Sequence, residues 1–201
     1  MKPKYILDIN ELDLKKQYTY SDYLTWRFNE RVELIKGWIY KMSPAPKRFH
    51  QEIEGVLHAK IWNFFENKPC KVYQSPFDVR LKRSRGKDDE IDTVVQPDIC
   101  LVCDLEKLDE AGCLGAPDLI VEILSVSTAK KDYNEKFNLY EENGVKEYWI
   151  VDPANKSIEI FSLMNEKYES LGLYIENEGI TEVEGNLFPD LRIPLKSIFG
   201  K

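Results

Sequence analysis

The stretch PDLIVEILSVSTAKKDYNEKFNLYEENGVKEYWIVDP, from Pro117 to Pro153, constrains this chain more than any other. It opens on an apolar run, Leu119, Ile120, Val121, Ile123 and Leu124, broken only by Asp118 and Glu122. A short run rich in β-branched residues predicts a buried strand. Strand side chains alternate between faces, so Asp118 and Glu122, four apart, share one face. Ser127 or Thr128 is placed to cap a following helix, in which Tyr133, Phe137 and Tyr140 recur at helical spacing and Gly144 is a natural stop. Lys146 to Val151 then reads as a second buried strand. Strand, helix and strand make the unit of a parallel crossover. A carboxylate inside such a strand is costly unless it is paired, hydrogen-bonded or bound to a metal.

A chain of 201 residues with 43% hydrophobic content suits one compact domain. Residues 1–46 read as its N-terminal helix and hairpin, 47–161 as its core and 162–201 as its C-terminal strands. The net charge of −7 gives no global signature of a nucleic-acid binder, but a local basic surface is enough for an enzyme. No apolar stretch approaches the length of a membrane helix, and Tyr5-Ile6-Leu7 is too short for a signal-peptide core. The reading therefore predicts a cytoplasmic protein with reduced thiols. Cys100 and Cys103 form a CxxC within a strand-like run, where positions three apart face opposite sides, and no second CxxC completes a zinc site. Buried, inert cysteines follow.

Upstream, Thr19 to Glu30 reads as a short helix capped by Thr19 or Ser21. Arg31 to Met42 reads as a hairpin turning at Lys36-Gly37, in which Glu33 shares a face with Ile35. On the residues alone, Glu33 is a surface glutamate of an edge strand. Ser43-Pro44-Ala45-Pro46 is a stiff connector. Lys47 to Asn67 carries a wide apolar stripe and predicts an amphipathic helix, with His50 beside the stripe. Val72 to Leu81 alternates as a strand: Phe77, Val79 and Leu81 face one way, Asp78 and Arg80 the other. The basic cluster of Arg80, Lys82, Arg83, Arg85 and Lys87 is either a solvated loop or a flap touching a phosphate backbone. Gln96 to Cys103 is a further buried strand with Asp98 near its start. Ser157 to Phe161 is a hairpin partner of Glu147 to Val151. The closing FPDLRIPLKSIF is apolar enough to pack down.

Asp98 in one buried strand and Glu122 in the next can hold one hard divalent cation through oxygen ligands. Lys136, with Asp132 one turn earlier on the same side, follows on the helix. Such a cation acidifies water, and a nearby lysine stabilises charge on a phosphate. The alternative is a set of ordinary strand-end acids, with Lys136 paired to Asp132 on a helix surface.

The order helix, strand, strand with Asp98, strand with Glu122, helix with Lys136 and strand is similar to the PD-(D/E)XK nuclease core. More closely, the segments ELIKGWIYKMSPAP, FDVRL, QPDICLV, PDLIVEILSVST, KDYNEKFNLYEENGVKEYWIVDP and FPDLRIPL resemble the Uma-two family of restriction-endonuclease-like proteins. The resemblance implies an α/β fold, a restriction endonuclease-like core whose central mixed sheet is flanked by helices. It implies a metal-dependent DNA endonuclease using Mg²⁺, or Mn²⁺ in its place. Asp98 and Glu122 become the metal-binding acids. Leu124 stands where the textual motif has lysine, and Lys136 supplies the amine from the following helix. Glu33 and His50 become accessory site residues, and Asp118 and Asp132 accessory or structural ones. DNA is the implied partner, no membrane is, and a homodimer would allow both strands to be cut. Two further readings remain at this point: an inactive nuclease-fold interaction module, and a metal-free hydrolase using two carboxylates as acid and base. Lys136 is expected at the rim of the helix, its removal abolishing cleavage while leaving folding largely intact.

Overall fold

A computed structural model describes residues 4–42, 47–81, 90–125, 129–176, 179 and 181–200, leaving aside the side chain of Lys130. The Ser43–Pro46 connector, the Ser127 and Thr128 caps and the basic residues Lys82, Arg83, Arg85 and Lys87 lie outside them. The elements in chain order begin with helix α1 (Tyr20–Tyr23), strands β1 (Val32–Ile35) and β2 (Trp38–Lys41), and helix α2 (Arg48–Phe65). Next come β3 (Lys71–Gln74), β4 (Val79–Arg80), β5 (Val94–Val95), β6 (Ile99–Val102), β7 (Leu108–Asp109), β8 (Gly112–Leu114) and β9 (Leu119–Ile123). After β9 run α3 (Ala129–Lys131), a π-helical turn (Asp132–Lys136) and α4 (Phe137–Asn143). The chain closes with β10 (Glu147–Asp152), β11 (Ser157–Met164), β12 (Lys167–Ile175), β13 (Glu182–Glu184), β14 (Arg192–Pro194) and α5 (Leu195–Phe199).

The central sheet is mixed, with strand order β12-β11-β10-β9-β6-β3. Only β9 and β10 run parallel in it, joined by the α3–α4 crossover that the block from Pro117 to Pro153 predicts. Its period-2 alternation separates two cores. Ile99, Leu101, Leu119, Val121, Ile123, Trp149 and Val151 face α2 and α5. Cys100, Val102, Ile120, Leu124, Tyr148 and Ile150 face α4 and a second six-stranded sheet, ordered β2-β1-β5-β4-β8-β7. Glu122 belongs by parity to this second face. Fold class is therefore as expected, an α/β core with a mixed sheet flanked by helices. The closing segment packs down, with Leu191, Ile193, Leu195, Ile198 and Phe199 all buried.

Several expectations need correction. The helix expected over Thr19 to Glu30 is one turn long. Thr19 and Asp22 do form a reciprocal capping box. Beyond it, the Thr25 hydroxyl donates to the Asp22 carbonyl at 2.6 Å, and Ile6 takes over the backbone, donating to Thr25 and accepting from Arg27. A tertiary partner thus replaces the helical ladder. The strand expected over Val72 to Leu81 is split between the two sheets, because Pro76 has no N–H to continue a ladder. Arg80 is not part of a solvated cluster. It is 4% exposed, paired with Asp109 at 2.5 Å and stacked over the Tyr20 ring.

The thiols also differ. Cys70 and Cys103 form a disulfide, at the ends of the paired strands β3 and β6, while Cys100 and Cys113 are free and buried. Cys100 and Cys103 do face opposite cores. Finally, Tyr133 is 40% exposed rather than buried. The wider π turn offsets the helical face there, carrying Asp132 and Lys136 inward instead.

Candidate active site

The acids gather where β1, β6, β9 and the π turn converge. In the β6–β9 pairing Ile99 lies opposite Val121, so the register sets Asp98 across from Glu122. Strands so paired lie about 4.8 Å apart. The Asp98 Oδ2 accepts from the backbone N–H of Ile123 at 2.7 Å, which fixes it against the end of β9.

Glu122 is enclosed by donors. Its Oε1 accepts from Lys136 Nζ at 2.7 Å and from the Tyr140 hydroxyl at 2.7 Å. Lys136 also lies 3.0 Å from Glu33 Oε1 and 3.9 Å from Asp132 Oδ1. Asp132 and Lys136 therefore share a side, as their spacing predicts. Glu33 is fully buried rather than a surface residue. Besides Lys136 it takes the Lys131 ammonium at 2.5 Å and the backbone N–H of Gln96 at 3.1 Å. Lys136 reaches Glu122 as expected, but its ammonium is buried and not at a rim. Its removal would leave Glu33 and Glu122 without the cation they share, which bears on the expectation that folding stays largely intact.

A second group adjoins the first. His50 Nε2 lies 3.4 Å from Asp98 Oδ2, and His50 Nδ1 lies 3.8 Å from Glu54 Oε2. Among the described residues, His50, Glu54 and Asp98 alone form a set of three or more His, Cys or acidic side chains whose ligand atoms all lie within 4.8 Å of one another. Asp118 stands apart, at the start of β9. It accepts from the Cys103 N–H at 2.7 Å and from Lys146 Nζ at 2.6 Å, a structural clasp. It lies four strand positions from Glu122, about 13 Å.

Charge is unevenly matched here. Burial pushes Glu122 up most strongly; Lys136 opposes this, but Asp132, Asp98 and Glu33 reinforce it, and its carboxyl reaches about 8. Burial also works against ionising Glu33, yet Lys136 and Lys131 outweigh it and hold this carboxyl at about 2. Lys136 loses from burial and gains more from Glu122, Glu33 and Asp132, so its ammonium is held well above the usual lysine range. Burial and then Asp98 raise Glu54. Burial lowers His50, but Asp98 and Glu54 outweigh it and favour the imidazolium.

This surplus of acid suits a cation. Asp98 and Glu54 offer hard oxygen donors, as Mg²⁺ or Mn²⁺ prefers, and His50 offers one imidazole nitrogen; Glu122, whose Oε1 is taken by Lys136 and Tyr140, lies outside this set of three. A bound divalent ion would favour the ionised form of Glu122 against the burial, and then the neighbouring acids, that keep a proton on it. The donor set therefore fits. Sequence reasoning missed Glu54, Lys131 and the hydroxyl of Tyr140. Glu54 was accessible from its spacing, one turn after His50 on the same helix face. Lys131 was not, because only the folded hairpin brings it to Glu33.

An uncharacterized protein of Synechocystis sp. is 27% identical over 144 residues, covering 70% of this chain and 72% of that relative. A crystal structure described as a putative nuclease belonging to DUF820, from Anabaena variabilis, superposes with a TM-score of 0.71 at 17% identity. The likeness covers 91% of this chain and 98% of that one and shows a shared fold. Among the described residues, no helix is long and apolar enough to cross a membrane. Residues 20–196 match the profile of a family described as "Uma2: Putative restriction endonuclease", and the chain belongs to that family.

Proposed function

We propose that this protein is a divalent-metal-dependent endonuclease that hydrolyses DNA phosphodiester bonds, with Asp98, Glu122 and Lys136 as its catalytic residues. The observation that carries the reading is the pairing of Asp98 and Glu122 across adjacent strands, with the Lys136 ammonium 2.7 Å from Glu122. Mg²⁺ is the cation we infer, with Mn²⁺ able to replace it, and it would acidify the attacking water and offset phosphate charge. Asp98 and Glu122 are the ligands, and Glu54 and His50 border Asp98 from α2. Glu122 must lose its proton to act as a ligand, so the affinity for Mg²⁺ rises with pH through about 8.

The Lys136 ammonium supplies fixed positive charge for the scissile phosphate or the attacking water. Glu33 holds that ammonium from the far side at 3.0 Å, and Asp132 supports it at 3.9 Å. The Tyr140 hydroxyl orients Glu122. These three positioning contacts keep the lysine and the acid in register with little freedom to reorganise. We further infer a single catalytic unit over residues 1–201, acting in the cytoplasm as a homodimer.

The test incubates supercoiled plasmid and single-stranded DNA with the protein in Mg²⁺, Mn²⁺ or EDTA. Cutting in either metal and none in EDTA supports the reading. Equal cutting in EDTA would transfer the activity to metal-free acid–base chemistry, and no cutting under any condition would leave an interaction module.

A further inference from the structure

A cavity of about 280 Å³ opens beside the acidic cluster, and the chemistry above does not use it. Its lining includes Tyr23, Trp26, Arg27, Phe28, Arg31 and Gln96. One wall is aromatic: Trp26 stacks on Phe28 with ring centroids 5.8 Å apart and meets Tyr23 at 5.5 Å. The other is polar. Arg31 donates to the Gln96 side-chain carbonyl at 2.7 Å, and the Gln96 amide nitrogen donates to Asp78 at 2.8 Å. This wall is continuous with the active site, because the backbone N–H of Gln96 holds Glu33 and Asp98 follows two residues later.

Trp26 adds an independent observation. It is 7% exposed, and its indole N–H is buried with no acceptor among the described residues. A buried donor without a partner is costly, and an acceptor brought by a ligand would offset that cost. Aromatic faces, two arginines and an unmatched donor are together the chemistry that recognises a nucleotide. A base stacks on the rings, its edge offers acceptors, and guanidinium groups meet its phosphate.

We propose that this cavity receives one unpaired nucleotide of the DNA strand, next to the bond to be cut. The proposal rests on the nuclease reading for the identity of the ligand. A base inside a duplex cannot enter such a cavity, so single-stranded DNA or a base turned out of the helix is the bound form. Arg31 and Phe28 contact the nucleotide, and Trp26 backs it.

The experiment uses the full ¹⁵N-labelled chain in EDTA, where metal-dependent cleavage is silent. The chain has four tryptophans, and the signal missing from Trp26→Phe assigns the Trp26 indole N–H. A short single-stranded oligonucleotide is titrated in, then the matching duplex, then deoxynucleoside monophosphates. The expected result is a saturable shift of the Trp26 indole signal with single-stranded DNA, weaker with duplex, and about tenfold weaker binding for both Phe28→Ala and Arg31→Ala. Arg31 is exposed, so its variant decides the matter if Phe28→Ala does not fold.

A Trp26 signal that stays fixed while DNA binds elsewhere overturns the proposal. So does a response to free monophosphates but not to the strand, or wild-type affinity in Arg31→Ala. Cleavage in Mg²⁺ is scored separately. Cutting without a Trp26 response removes the cavity and leaves the nuclease, whereas a Trp26 response without cutting removes the catalysis and leaves the cavity.

Discussion

Replacing Glu122 by glutamine should stabilise the metal-free protein, although Glu122 stands at the centre of the site. Its carboxyl titrates at about 8 in the fold against an ordinary value of 4.5. The folded pKa is raised, so the folded state holds the proton more tightly than the unfolded chain. The stability this group contributes is fully present below pH 4.5 and is lost as pH rises through 8. Each unit is worth about 1.4 kcal/mol, which makes the loss roughly 3 kcal/mol at pH 7 and roughly 5 kcal/mol above pH 8. Glutamine carries no such penalty and keeps an oxygen for Lys136 and Tyr140. For a chain of this size roughly 3 kcal/mol corresponds to about 6–12 °C in Tm. The assay is thermal and urea unfolding of wild type and Glu122→Gln in EDTA across pH 4–9. The gap between them should vanish at the acid end and widen with pH. In saturating Mg²⁺ it should narrow, because ligand binding stabilises only the wild type. A gap that does not change with pH, or a variant less stable than wild type at pH 8, would refute the electrostatic reasoning.

Lys136→Met should unfold at markedly lower urea concentration at neutral pH, by about 3–5 kcal/mol, since it leaves Glu33 and Glu122 buried without their shared cation. DNA cleavage per folded molecule should be lost in the same variant, measured at a temperature where circular dichroism shows it folded. Asp118→Ala should cost about 1–3 kcal/mol by leaving the Cys103 N–H without its acceptor. Its cleavage rate per folded molecule should match wild type, because Asp118 sits at the opposite end of β9 from Glu122.

The central layer was legible in the sequence because one physical rule dominates it. β9, β6 and β10 are buried on both faces, so they read as β-branched apolar runs, and a charged residue within or beside them called for a partner, a hydrogen bond or a metal. Asp98 and Glu122 emerged in this way. Glu33 was harder. A glutamate alternating with apolar neighbours reads equally well as an edge-strand surface residue, and only the arrival of Lys131 and Lys136 from far along the chain makes it a buried anchor. The second sheet was hidden because β4, β5 and β7 are two residues long, too short for periodicity to register. The π turn defeats a 3.6-residue count by construction, which is why Tyr133 was expected inside. The Cys70–Cys103 bond depends on the pairing of β3 with β6, which no local pattern reveals.

The central claim is that Asp98 and Glu122 jointly carry metal-dependent cleavage. Its most direct test is the single-turnover cutting rate of one DNA substrate against Mg²⁺ concentration, for wild type, Asp98→Asn and Glu122→Gln, each verified as folded. The account predicts a wild-type rate that saturates with Mg²⁺, at lower Mg²⁺ concentration as pH rises through about 8, and no cutting by either variant at any Mg²⁺ concentration. Cutting by Asp98→Asn or Glu122→Gln at the wild-type rate would contradict it.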